Sequence, residues 1–227
     1  MISFIKRASI SVGLMSVALS ACASDAAGVR LDRTRVVFQD GAREAFVGLT
    51  NSLSVPVLVR TTFHDLNEKP IDSFMAIPPV YRLDSGKANR IRLVNVAELP
   101  QDKESVFYVT VSCFPAAQAQ ENSIRYALGQ RIKLFYRPAS VKHDCSYVAN
   151  QLKWSQEGGY LHVLNPTKVS ISMTEVNLGD VKKTVSMLLP GEKSKYKLDK
   201  PLKRNQVFSF KYIDEYGGVR TQSVSLE

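Results

Sequence analysis

Histidine, cysteine and tryptophan are scarce in this chain, at 3, 3 and 1 of its 227 residues. His64, His143 and His162 offer little imidazole for a metal centre or an acid–base pair. His143-Asp144-Cys145 sets ligand types two apart, on one strand face, but structural zinc takes four protein ligands and no second cluster is spaced to complete them. Nucleophile elbows and helical metalloprotease motifs are missing too. The chain therefore reads as no enzyme, with no metal and no cofactor. Acidic residues are the minority, 21 against 30 lysines and arginines, for a net charge of +9. Such a balance suits nucleic acid, a membrane surface or an acidic protein. The cations are spread out, however, and no aromatic-rich basic motif accompanies them, which argues against nucleic acid. The densest stretch, Lys193 to Arg204, alternates Lys193, Lys195 and Lys197, the pattern of an edge strand guarded against strand addition. No segment shows a helical period, and strict repeats and low-complexity tracts are absent.

Long apolar runs are also few. Lys6-Arg7 followed by apolar and small residues from Ala8 to Ala21 is too short for a comfortable membrane span and reads as an export signal. Residues 1–26 are assigned to it, with cleavage after Ala23 or Ala26. Leu19-Ser20-Ala21-Cys22 also fits the pattern before a lipidated cysteine; discard of Cys22 with the signal is the favoured reading, and lipid anchoring stands as the alternative. Export leaves Cys113 and Cys145 in an oxidising compartment, where a pair suggests a disulfide. Yet Cys113 ends one strand and Cys145 lies beyond the next, in what reads as the following domain. A bridge needs Cα atoms within about 7 Å, so two unpaired thiols are expected.

What the chain does have is alternation. Strand-like runs cover Leu31 to Phe38, Ala45 to Thr50, Val55 to Phe63, Ile91 to Asn95, Ser105 to Cys113 and Ile124 to Tyr136. After the break at Pro138, further runs cover Gln151 to Trp154, Tyr160 to Leu164, Val169 to Val176, Thr184 to Leu189, Val207 to Tyr212 and Gly218 to Ser225. Turn residues such as Gly158-Gly159, Asn165-Pro166 and Pro190-Gly191 separate them. Repeated short strands at this spacing predict an all-β fold of two sandwiches, residues 27–138 and 139–227. The longest run is the most informative: its even positions from Ile124 to Tyr136 are mostly apolar. Lys133 sits inside this run, where desolvating an ammonium costs several kcal/mol unless an anion meets it. Such a strand is either ordinary core with a snorkelling lysine or a strand to be lent to another protein.

Four stretches, in order along the chain, resemble the periplasmic pilus-assembly chaperones of the chaperone–usher pathway. They are Leu31-Asp32-Arg33-Thr34-Arg35-Val36-Val37-Phe38, then Pro78-Pro79-Val80-Tyr81-Arg82-Leu83, then Leu99-Pro100-Gln101-Asp102-Lys103-Glu104-Ser105, and Ile132-Lys133-Leu134-Phe135-Tyr136-Arg137-Pro138. Asn165-Pro166-Thr167 and Tyr216-Gly217-Gly218 match more weakly. The resemblance implies two immunoglobulin-like domains in an L, with a cleft at the bend. It implies an ATP-independent periplasmic chaperone that lends a strand to pilus subunits, a recognised form of β-augmentation, and passes them to an outer-membrane usher. By the same resemblance Arg35 and Lys133 bind the subunit's C-terminal carboxylate. Ile124, Tyr126 and Leu128 are the donated side chains, and Glu104, Arg137 and Glu215 form an inter-domain charge cluster, with Asp214 able to stand in for Glu215. The roughly ten residues between Cys113 and Ile124 suit a hairpin-type loop and resemble the family's short-loop branch. Self-association of the unloaded protein would hide its exposed edge. The competing reading is an exported two-domain adhesive or structural surface protein, since this fold carries many functions.

Overall fold

The computed structural model describes residues 28–116, 127–179 and 181–226. The export signal and Cys22 lie outside them, as do Ile124 and Tyr126.

The first sandwich packs two sheets. One contains β1 (Val29–Leu31), β3 (Ala45–Asn51), β5 (Phe74–Ile77) and β7 (Ala88–Asn95), in the order β1-β3-β7-β5. The other contains β2 (Arg35–Gln39), β4 (Val57–His64), β6 (Val80–Leu83), β8 (Ser105–Pro115) and β9 (Leu128–Arg137), in the order β2-β9-β8-β4-β6. Alternation builds the core. Val57, Val59 and Phe63 of β4, Val109, Val111 and Cys113 of β8, and Ile132, Leu134 and Tyr136 of β9 all point inward. Phe38, Phe63, Phe74 and Phe107 join ring to ring across it. Each fully buried side chain of this size contributes about 1.5–3 kcal/mol.

The run expected from Leu31 to Phe38 is two strands, because the chain changes sheet at Asp32 to Thr34. Asp32 fixes the crossing by accepting the Gly48 N–H at 2.9 Å. A Cβ on Gly48 would lie 2.8 Å from the Asp32 carboxylate, so the crossing needs glycine there. Beyond it, β2 lies parallel to β9, with Arg35 opposite Lys133 and Gln39 opposite Arg137. The chain leaves β9 at Pro138, and Ser140 Oγ donates to the Gln101 carbonyl at 2.7 Å, tying the linker back to the first sandwich.

The second sandwich opens with a helix, α1 (Cys145–Gln151), capped by Asp144, whose side chain accepts the Tyr147 N–H. No helix was expected. Seven residues are too few for a 3.6-residue period to register, and Gln151 ends this helix instead of starting a strand. The sheets that follow contain β10 (Lys153–Glu157), β11 (Tyr160–Leu164), β12 (Ser172–Asn177), β13 (Lys182–Thr184), β14 (Lys193–Lys197), β15 (Val207–Ile213) and β16 (Val219–Ser225). Their orders are β10-β11-β14 and β13-β12-β15-β16. The lysine-alternating stretch is indeed an edge strand, β14, with its three lysines exposed. Of the strand expected over Thr184 to Leu189, Thr184 ends β13 and Leu188 makes a single bridge to Ile171. Trp154 packs edge-on against Phe208 in a second core that shares no residue with the first.

Cys113 and Cys145 are unpaired and buried. Burial, with Glu215 and Asp144 nearby, pushes the Cys145 thiol up to about 11, which lowers the fraction of reactive thiolate at neutral pH.

Candidate cationic cleft between the sandwiches

Parallel pairing of β2 with β9 puts two cations on one rung, although the sequence separates them widely. Arg35 is buried. Its guanidinium lies 5.7 Å from the Phe135 ring centroid, and Nη1 donates to the Ile213 carbonyl of β15 at 3.0 Å. Nε has no hydrogen-bond partner among the described residues. Lys133 is half-buried, and its Nζ donates to Ser172 Oγ of β12 at 3.3 Å. Among the described residues neither cation is ion-paired with a carboxylate. Burial holds both below their usual pKa ranges, and the charge of Arg35 depresses Lys133 further. Two neighbouring, partly dehydrated cations with donors to spare suit an anion of carboxylate size, which accepts charge-assisted hydrogen bonds from both.

Four rungs further along β9, Arg137 makes the other half of the junction. Its Nε and Nη2 both donate to Glu104 Oε2, at 2.9 and 2.8 Å. The other oxygen of Glu104 accepts the Ser170 N–H at 2.9 Å, and the Glu104 N–H donates to the Lys168 carbonyl at the same distance. Arg137 also pairs with Glu215 at 2.5 Å. Glu104 and Arg137 belong to the first sandwich, and their partners Lys168, Ser170 and Glu215 to the second, so this cluster joins the two. Burial pushes the Glu104 carboxyl up against the opposing pull of Arg137. Asp214 does not stand in for Glu215. It accepts N–H groups from Tyr216 and Gly218 and the Arg220 guanidinium, and so builds the β15–β16 turn.

That turn touches the first sandwich at Gly217, which has φ +90° and whose Cβ, if present, would lie 2.6 Å from Thr34 Oγ1. Gly217→Ala therefore carries both backbone strain and a clash. The expected loss is about 2 kcal/mol, or a Tm lower by about 4–8 °C. Adding Thr34→Ala should recover only the clash component. A single mutant melting with the parent would show that the turn shifts freely.

The far half of β9 behaves differently from the near half. Ile132, Leu134 and Tyr136 fill the core, whereas Leu128, on the same face, is 53% exposed. The rungs with β2 stop at Lys133, so residues 128–132 pair through β8 on one side only. The side chain of Gln130 reaches across to β1, donating to the Val29 carbonyl and accepting the Leu31 N–H. Ile124 and Tyr126 lie outside the described residues. Sequence reasoning marked Arg35, Lys133, Glu104, Arg137 and Glu215, which the structure gathers at the junction. It missed Ser170, Ser172 and the Ile213 carbonyl, whose roles depend on how the sandwiches meet and leave no signal in a single strand.

Comparison with known proteins agrees with this architecture. Residues 28–142 match the family described as pili and flagellar-assembly chaperone, PapD N-terminal domain, and residues 147–224 match the PapD C-terminal domain. The chain is 36% identical over 219 residues to the chaperone protein PmfD of Proteus mirabilis, covering 89% of this chain and 85% of that one. It superposes on the Escherichia coli chaperone DraB with a TM-score of 0.77 and 27% identity, covering 88% of this chain and 98% of that one. The SafB chaperone of Salmonella enterica, solved in complex with the SafA pilin, gives a TM-score of 0.78 at 23% identity, over 88% of this chain and 96% of that chain.

Proposed function

The chain belongs to the PapD family of pili-assembly chaperones, and from that premise we propose how it holds its client. It is a chaperone of pilus-subunit assembly, and not an enzyme. The subunit's C-terminal carboxylate docks on Arg35 and Lys133, which sets the register. A subunit strand then pairs along the open edge of residues 128–132, while Leu128, with Ile124 and Tyr126 before it, fills an apolar groove in the subunit. The loaded complex is passed to an outer-membrane usher. The protein works in the periplasm, released from residues 1–26. The observation that carries the reading is the Arg35–Lys133 rung lying where the open edge of β9 begins. The neighbour SafB, solved with a pilin, supports a subunit as the client. An unpaired Cys113 and the short link from β8 to β9 support the short-loop branch.

The test is a pull-down of the tagged protein from periplasm in which its neighbouring genes are expressed, with mass spectrometry of what co-purifies. A small subunit at one-to-one stoichiometry is expected. A folded, soluble preparation that captures no subunit would favour a surface protein instead.

Lys133 also gives the complex a pH signature. Its depressed pKa means that free chaperone stability present at high pH is lost as pH falls through that pKa, because the ammonium then forms at a dehydrated site. A bound carboxylate pulls the pKa back up, so binding takes up a proton between the two values. Subunit affinity should therefore fall as pH rises from neutral towards the ordinary lysine range. Lys133→Arg, charged throughout, should flatten the fall. A pH-independent affinity in the parent protein would contradict carboxylate capture by Lys133.

A further inference from the structure

Beside Lys133 the cleft widens into a pocket of about 430 Å³, within the range of small-ligand sites. Lys133 and Tyr108, cross-strand partners on β9 and β8, line it from the first sandwich. Met173, Met187 and Leu189 face them from the second. Tyr108 is backed by the Arg131 guanidinium, 5.4 Å from its ring centroid, and Arg131 is in turn paired with Glu68 at 2.7 Å. The acidic member of the lining, Glu192, accepts the Leu189 N–H at 2.7 Å and is committed to its own turn. The pocket thus has a cation at one side and an apolar, methionine-containing wall opposite.

We propose that this pocket receives an apolar side chain from the last two residues of the bound subunit and so selects among client C-termini. The proposal rests on the anchoring reading above, because a carboxylate held by Lys133 brings the residues next to it to the pocket that Lys133 lines. In an extended chain successive side chains point to opposite faces, so one of the last two enters the pocket and the other turns away. Methionine side chains are flexible and adapt to different partners. The site therefore takes Phe and Leu alike. It discriminates against Gly, which fills nothing, and against Asp, whose charge would be desolvated on an apolar wall.

Fluorescein-labelled decapeptides of alternating Val and Thr provide the probe, with Phe, Leu, Gly or Asp placed at each of the last two positions. Each is made as free acid and as C-terminal amide and titrated with the intact protein by anisotropy. At one position Phe and Leu should bind at least tenfold tighter than Gly or Asp, and the other position should be indifferent. Met187→Asp should erase the preference and Met187→Leu should keep it, with Leu189→Ser as the substitute if near-UV circular dichroism shows the aspartate variant misfolded. A flat response at both positions, with amidation still abolishing binding, overturns the pocket and leaves the anchor standing. Equal binding of amide and acid, or no binding by any free acid, overturns the anchor and the pocket with it.

Discussion

Lys133→Ala should abolish the stable subunit complex while leaving the chaperone folded. Both halves of this result follow from the same feature. In the unloaded protein the ammonium is partly dehydrated, stands beside Arg35 and, among the described residues, donates to Ser172 Oγ at 3.3 Å, so deleting it relieves repulsion. In the complex proposed above it would face a carboxylate, and truncating one partner of such a buried charge pair costs about 2–5 kcal/mol, a loss of roughly 30-fold to several thousand-fold. Co-purification yield together with a thermal melt of the free variant reads both halves. Undiminished yield would sink the anchoring mechanism. Arg35→Ala should be less clean, because Arg35 also packs on Phe135 and bonds the Ile213 carbonyl, so part of its effect comes through the junction.

Arg137→Ala should instead damage the free protein. Glu104 is 3% exposed and, among the described residues, would keep the Ser170 N–H alone for its carboxylate. Stripping one member from a buried ion pair costs about 3–5 kcal/mol, which for a chain of this size lowers Tm by about 6–20 °C. Burial already pushes the Glu104 carboxyl up, so the variant's stability should fall as pH rises from the ordinary carboxylate range through that raised pKa, where the unpaired carboxyl must become charged. Glu104→Gln combined with Arg137→Met removes both charges and should recover part of the loss. A melting temperature unchanged in Arg137→Ala would mean that the cluster is solvated and worth no more than a surface pair.

Much of this was legible because burial follows the strand period. The alternation in β4, β8 and β9 announced the first core, and the lysine alternation of β14 announced an edge. The sheet change between β1 and β2 was hidden, since Asp32-Arg33-Thr34 reads as ordinary polar strand positions and only Gly48, on another strand, makes room for the crossing. The helix α1 was hidden by its length. Arg35 and Lys133 were recognisable through resemblance, but periodicity says nothing about which rung of β2 meets which rung of β9. Asp214 and Glu215 are chemically alike and adjacent. The turn hydrogen bonds, invisible in the sequence, assign Asp214 to the β15–β16 turn and leave Glu215 for Arg137.

Fixing Arg35 against Lys133 makes β9 a ruler. At about 3.3 Å per residue, the span from Lys133 back to Leu128 measures about 17 Å, and any strand that starts from the anchored end is read off against that scale. The scale has a phase as well as a length. Deleting one residue between Leu128 and Lys133 would shorten it by a single step yet turn Leu128 to the opposite face. Deleting two would restore the face and displace it by one full period. A chaperone built this way can tolerate drift in what its side chains are more readily than drift in how many residues separate them.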